Sequence, residues 1–196
     1  MTRSATCCLP AIWRSLQASS SPAALSCASS SRSPNVPAQK LPTKSLATIV
    51  GTAAAAGLLA IVPKFEGTKL TTYRDPIGVL TYCTGATEDA AWGKTYTPEE
   101  CRAQLDRDLA SHAEGVMACI KAPLTPGQKI AFVDLAYNVG VGAVCKSTLA
   151  RKANAGDVAG ACAELSKWVR AGGQVLPGLV RRRQAERELC EGRAKA

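Results

Sequence analysis

The chain has 196 residues, 46% of them apolar and 20% charged, with 24 Lys and Arg against 15 Asp and Glu, nine Cys and a formal net charge of +9. That apolar share supports a real core and excludes wholesale disorder or a collagen-like fibre, and the length fits one domain plus a short extension. Only the stretch 46–62 is long and uncharged enough to be considered as a bilayer crossing, so a multi-span membrane protein is excluded too.

The charge divides the chain. Residues 1–44 carry Arg3, Arg14, Arg32, Lys40 and Lys44 and no acid, and Glu66 is the first carboxylate in the sequence. Ten of the first 34 residues are serine, and such a segment buries too little apolar surface to offset its ordering entropy. The tail 1–44 is therefore expected to be disordered, either as a targeting segment or as a stretch upstream of the true start. The body from Lys64 onward is only moderately basic, which suits a polyanionic partner without choosing one.

Residues 46–62 are uncharged, preceded by Lys40 and Lys44 and closed by Pro63 and Lys64. As a helix they would span about 26 Å, slightly less than a hydrocarbon core. Six alanines, two glycines and two threonines dilute the seven large apolar residues, which makes a weak permanent anchor. The flanks match export with the N-terminus inside, and the alternative is a buried Ala-rich core helix.

The body holds six cysteines, Cys83, Cys101, Cys119, Cys145, Cys162 and Cys190, and no C-x-x-C pair. An even number in so short a body predicts three disulfides made in an oxidising compartment, with 15 pairings open and free buried thiols as the alternative.

Residues 70–73 and 79–82 read as two strands around a turn that contains Asp75, Pro76 and Gly78. Thr97-Pro98-Glu99-Glu100 then starts a helix, with Cys101, Leu105, Leu109, Ala113 and Val116 on one face. The same signal recurs at Thr125-Pro126-Gly127-Gln128, before a run from Ile130 to Ala136 that is apolar almost all round and belongs at the centre of a domain. It stops at the glycine-containing 138–142, and helical patterns return at 147–155, 157–169 and 178–190. The fold class is α+β with helices dominating.

Glu66 and Asp75 are candidate carboxylates for glycoside hydrolysis, which needs a protonated acid beside the bond and a second polar group for water or for an oxocarbenium-like state. Thr81 returns on the outgoing strand toward the same cleft. Phe65-Glu66-Gly67, Tyr73-Arg74-Asp75 with Gly78, and Leu80-Thr81 with Cys83-Thr84-Gly85 resemble the catalytic segment of phage-type lysozymes, glycoside hydrolase family 24. Tyr96-Thr97, Ala136-Tyr137-Asn138-Val139-Gly140, Ser147-Thr148-Leu149, Trp168, Gly172-Gly173 and 178–186 extend the resemblance in order across the body.

That resemblance implies a lysozyme-like fold, a small hairpin lobe plus a mainly helical lobe around a central buried helix, with a catalytic domain at 64–196. It implies a catalytic triad of Glu66, Asp75 and Thr81, with Glu66 as general acid on the bond between N-acetylmuramic acid and N-acetylglucosamine. The acid has to carry its proton near neutral pH, which burial against Phe65 and Tyr137 would favour and the surrounding positive charge oppose. Asp75 with Thr81 would activate the attacking water.

Tyr137, Asn138, Ser147 and Thr148 are candidate substrate-binding residues, with helix capping as the alternative for the last three. Segment 45–63 resembles the signal-anchor-release helix of exported phage endolysins. It holds no cysteine, so activation is expected from refolding around the released helix rather than from disulfide exchange.

The implied setting is the host inner membrane and then the periplasm. The partner is bacterial peptidoglycan, the chain acts as a monomer, and neither cofactor nor metal is expected: His112 has no second ligand nearby. Without a zinc motif or an aromatic-interleaved basic stripe, a nucleic-acid partner is not expected either. The competing readings are a lytic transglycosylase, against which Asp75 and Thr81 argue, and an inactive membrane-tethered wall-binding module.

Overall fold

In the computed structural model, which describes residues 44–75 and 78–194, the apolar run at 46–62 is not one rod. It forms α1 (Leu46–Val50) and α2 (Thr52–Glu66), broken at Gly51, whose φ of 91° suits a residue without Cβ. Ser45 caps α1 by accepting the Thr48 N–H. At the break, Lys129 Nζ donates to the Val50 carbonyl over 3.1 Å, satisfying an acceptor that the helix leaves open. Leu46, Val50, Ala54, Ala55, Leu58 and Val62 are buried in the helical core, the large ones each worth about 1.5–3 kcal/mol when removed from water. The segment thus adopts the arrangement of the buried-core-helix alternative, and among the described residues no helix is long and apolar enough to cross a membrane.

The chain divides at Pro37, and the unit Ala38–Ala196 carries all the described residues. The serine-rich tail, up to residue 43, lies outside them, as do Pro76 and Ile77 of the turn.

After α2 the expected hairpin forms from β1 (Lys69–Arg74) and β2 (Leu80–Cys83), antiparallel, with Tyr73 opposite Thr81 and Arg74 opposite Leu80. The segment around Thr95 returns along the free edge of β1: Thr71 bridges Thr95, Thr72 N–H donates to the Lys94 carbonyl and Tyr96 N–H to the Leu70 carbonyl. This lobe has its own small core of Tyr82, Cys83, Ala86, Tyr96 and Cys101, with the Tyr82 and Tyr96 rings stacked at 4.3 Å.

The helical lobe begins at α3 (Pro98–Cys119), started by the predicted capping box between Thr97 and Glu100. The second capping box, Thr125 with Gln128, opens α4 (Pro126–Val139), whose residues from Ile130 to Ala136 are all buried. Gly140, at φ 89°, turns the chain into α5 (Val141–Cys145), a short helix that the glycine-containing sequence at 138–142 does not announce.

Then follow α6 (Thr148–Asn154), α7 (Val158–Glu164), a 3-10 turn at Leu165–Lys167, a second hairpin of β3 (Arg170–Ala171) and β4 (Gln174–Val175), and α8 (Pro177–Cys190). The second hairpin is too short for an alternating pattern and was not expected from the sequence. Helix α4 packs against α8, α2, α3 and α5, so the architecture is α+β, a small hairpin lobe plus a helical lobe around a central buried helix.

All six body cysteines are paired, Cys83 with Cys101, Cys119 with Cys145 and Cys162 with Cys190. The first ties β2 to α3, the second α3 to α5, and the third α7 to α8. Buried free thiols therefore do not describe this body.

Candidate active site

Glu66 is the last residue of α2, and Gly67, at φ 74°, lets the chain leave that helix for β1. Its side chain is 32% exposed, and Oε1 accepts from Arg182 Nη1. Arg182, on α8, is 4% exposed and gives its remaining edge to Asp134 on α4, Nη2 to Oδ1 at 2.7 Å and Nε to Oδ2 at 3.2 Å. Asp134 is the one acid within the otherwise apolar buried face of α4. A buried carboxylate there requires a cation, and a bidentate guanidinium supplies it with fixed geometry.

Burial works against the charged form of Arg182, but hydrogen bonds and charge from Asp134, then from Glu66, outweigh it and raise its pKa. Glu186, one turn further along α8, lies near both Arg182 and Arg183; burial, reinforced by Asp134, pushes its pKa well above the ordinary carboxylate range. Of the three consecutive arginines, only Arg181 faces solvent. Arg182 and Arg183 are both buried.

Asp75 stands at the turn end of β1. Its Oδ1 accepts the Val79 N–H at 2.8 Å, its backbone N–H donates to the Val79 carbonyl and its carbonyl accepts from Gly78. Thr81, 4% exposed in β2, donates from Oγ1 to the same Val79 carbonyl at 3.2 Å. One peptide segment therefore fixes both side chains. Arg74 closes the turn from the other side, Nη1 to the Gly78 carbonyl at 2.8 Å.

Tyr137, near the end of α4, donates from its hydroxyl to the Thr84 carbonyl at 2.7 Å and so joins the helical lobe to the hairpin lobe. Burial, then the negative charge of Asp108 and Glu66, keeps its phenol protonated. Asp108 on α3 lies at the same seam. Burial lifts its pKa to about 6, against the Gln104 Nε2 hydrogen bond that opposes the rise. His112, a turn later, lies with its ring 5.2 Å from that of Tyr137, and burial lowers its pKa.

A cleft of about 670 Å³ opens beside Glu66, lined among others by Phe65, Asn138, Leu176, Arg181 and Arg182. Asn138 thus joins the acid. Ser147 and Thr148 do not line that cleft: the Ser147 hydroxyl caps α6 by accepting from Ala150 and donates to the Val144 carbonyl, and Thr148 accepts from Arg151. Local burial of Glu66 against Phe65 and Tyr137 was expected; instead, the acid stays a third exposed and is held by Arg182.

The sequence reading missed Arg182 and Asp134 as a pair. One signal was available, a lone Asp in an apolar helix that calls for a distant cation.

A helix that enters a small hairpin lobe with a carboxylic acid on its last turn, a second carboxylate and a threonine on the hairpin, and a cleft opening at the acid define a lysozyme-type glycoside hydrolase. The phage lysozyme family model matches residues 63–186, and the chain belongs to that family. It is 45% identical over 126 residues to the SAR-endolysin of Enterobacteria phage P21, covering 64% of this chain and 76% of that protein. It is 38% identical over 143 residues to the SAR-endolysin of Pseudomonas phage phiKMV, covering 70% and 86%. Among solved structures, the muramidase domain of SpmX from Asticaccaulis excentricus superposes with a TM-score of 0.64 at 31% identity, covering 68% of this chain and 94% of that one. A P22 lysozyme variant gives 0.65 at 27%, covering 69% and 96%.

Proposed function

We propose that this lysozyme-type endolysin hydrolyses the β-1,4 bond between N-acetylmuramic acid and N-acetylglucosamine in bacterial peptidoglycan, for host cell lysis. The observation that carries the reading is Glu66 fixed at the cleft by a buried arginine, with Asp75 and Thr81 fixed together by the Val79 backbone in the hairpin that follows α2. Arg182 engages Oε1, so Oε2 is the oxygen that delivers the proton to the glycosidic oxygen as the bond breaks. Asp75 accepts a proton from the attacking water, and the Thr81 hydroxyl orients it. Asn138, which lines the cleft beside Glu66, holds the sugar, while Tyr137, bound to the Thr84 carbonyl, keeps the two lobes together.

The test is Glu66→Gln beside the parent chain, assayed on purified peptidoglycan for released reducing ends. Loss of those ends by about 10³-fold or more supports the reading, given what a missing general acid and its charge contribute. Anhydro ends would indicate a transglycosylase, and equal behaviour of the two proteins would reduce the chain to a wall-binding module.

We further propose that 45–63 takes the chain to the inner membrane as a releasable anchor and that the folded helices α1 and α2 are its state after release into the periplasm, as a monomer. Weak hydrophobicity and the names borne by the relatives support this. Fractionation of expressing cells tests it: the chain should pass from the membrane pellet to the periplasmic fraction when the membrane potential is collapsed. A chain that is soluble from the outset overturns it.

A further inference from the structure

Trp92 is 70% exposed, more than any other large apolar side chain among the described residues. A tryptophan is rarely left so open, because its ring is the largest apolar surface a residue can bury. Its place in the fold is specific. Thr71 bridges Thr95 and Thr72 donates to Lys94, so the strand-like return runs antiparallel to β1 and brings 92 alongside the end of β1 where Asp75 begins the turn. The Arg74 guanidinium lies over the Trp92 ring at 5.7 Å and reaches the Gly78 carbonyl with Nη1. The indole is therefore tied through one side chain to the turn that carries Asp75.

With Arg74 on one face, an exposure of 70% leaves the opposite face and edge open to solvent. In a glycan hydrolase, an open indole face tied to the turn that carries Asp75 matches one ligand chemistry, the apolar face of a pyranose ring with its axial C–H groups. Val79, 41% exposed and hydrogen-bonded to Asp75, adds apolar surface at the same end of the hairpin. The cation beneath the indole also suits the anionic character of the wall polymer. An aqueous surface gains nothing from an ordered aromatic there.

We propose that Trp92 is a sugar-stacking platform on the hairpin lobe, which binds a pyranose of the glycan strand next to the catalytic turn and thereby sets the affinity for long substrate. The inference rests on the reading of the chain as a glycan hydrolase. Stacking contributes before and during bond cleavage alike, so it acts on KM and leaves kcat nearly unchanged.

The full chain, Trp92→Ala and Trp92→Phe are assayed on polymeric peptidoglycan. Trp92→Ala is expected to raise KM about tenfold with kcat within about twofold, and Trp92→Phe, which keeps a ring, to recover most of the loss. In parallel, intrinsic fluorescence of a Glu66→Gln chain is titrated with chitin oligosaccharide. The emission is expected to shift to the blue, and the shift to vanish when Trp92→Phe is added.

Unchanged KM in Trp92→Ala overturns the proposal, as does a saccharide-dependent shift that survives Trp92→Phe. A shift with phosphatidylglycerol vesicles but not with saccharide overturns it too, in favour of a lipid surface. If Trp92→Ala does not fold, the fluorescence arm decides alone. An inactive parent chain would instead count against the hydrolase reading itself.

Discussion

The helical lobe and the hairpin lobe hold their site residues by different means. Glu66 is fixed by Arg182, 116 residues away in sequence, and Arg182 by Asp134 on a third helix. Asp75 and Thr81 are fixed by the backbone of Val79, four residues and two residues away. The first arrangement needs the whole helical core, where three elements must pack before the carboxylate is oriented. The second closes within a single turn and needs only the hairpin. The same contrast runs through the packing, since the helical lobe buries an extensive apolar cluster while the hairpin lobe has a small apolar core of Tyr82, Cys83, Ala86 and Tyr96 against Cys101 of α3, to which a disulfide ties it.

The sharpest way to break the comparison is to remove the cation from the helical side. Arg182→Ala takes from buried Asp134 the guanidinium that pairs with both its oxygens, and is expected to cost about 3–5 kcal/mol in urea unfolding. Activity should fall by more than tenfold at a temperature where the fold persists. A loss of activity without a loss of stability would show that Arg182 serves Glu66 alone.

On the hairpin side, replacing Cys83 and Cys101 together by serine opens a loop of 18 residues' separation. A cost of about 3 kcal/mol is expected on the chain-entropy account. Hydrogen exchange should loosen in β1 and β2 well before α4; uniform loosening would mean that the two lobes unfold as one.

The seam gives a pH-dependent effect. Asp108 binds its proton more tightly in the folded chain, with a pKa of about 6, than in the unfolded one, where it is near 3.8. Between those values the folded state holds more protons, so this group's contribution to stability is fully present below pH 4 and lost as the pH rises through 6. Asp108→Asn should flatten that segment of the stability curve and stabilise the chain at neutral pH by up to about 3 kcal/mol. A thermal-melt series from pH 4 to 7 on both chains measures it, and parallel curves would sink the assignment.

The smallest effect is at the bond between the lobes. Tyr137→Phe removes the donor to the Thr84 carbonyl, and about 1 kcal/mol of stability should go with it. Because the bond spans both lobes, the loss should appear equally in the exchange of β2 and of the end of α4.

Legibility in the sequence followed the same division. The hairpin was readable from its turn residues, both long helices from Thr-Pro starts with a reciprocal Glu or Gln, and the central helix from its apolar run, because each signal lies within a few residues. The even set of six cysteines announced disulfides but not their pairing. The short helix α5 and the second hairpin escaped because two to five residues carry no period.

Arg182 was visible only as one of three adjacent arginines, and helix geometry alone does not say which of them turns inward when the neighbouring helices are not yet placed. Residues 46–62 show the limit most directly. Their composition fits a weak bilayer helix and a buried core helix equally well, because both surroundings reward the same apolar surface.

By itself, the sequence determined the first hairpin and the long helices, the fold class, the family and the spacing of Glu66, Asp75 and Thr81, all of which rest on local chemistry or on the order of motifs along the chain. Only the tertiary structure decided the partner of Glu66, the disulfide pairs, the break at Gly51 and the open face of Trp92. Each of these depends on which distant surfaces meet, and that is fixed by packing of the whole core rather than by any segment's own preference.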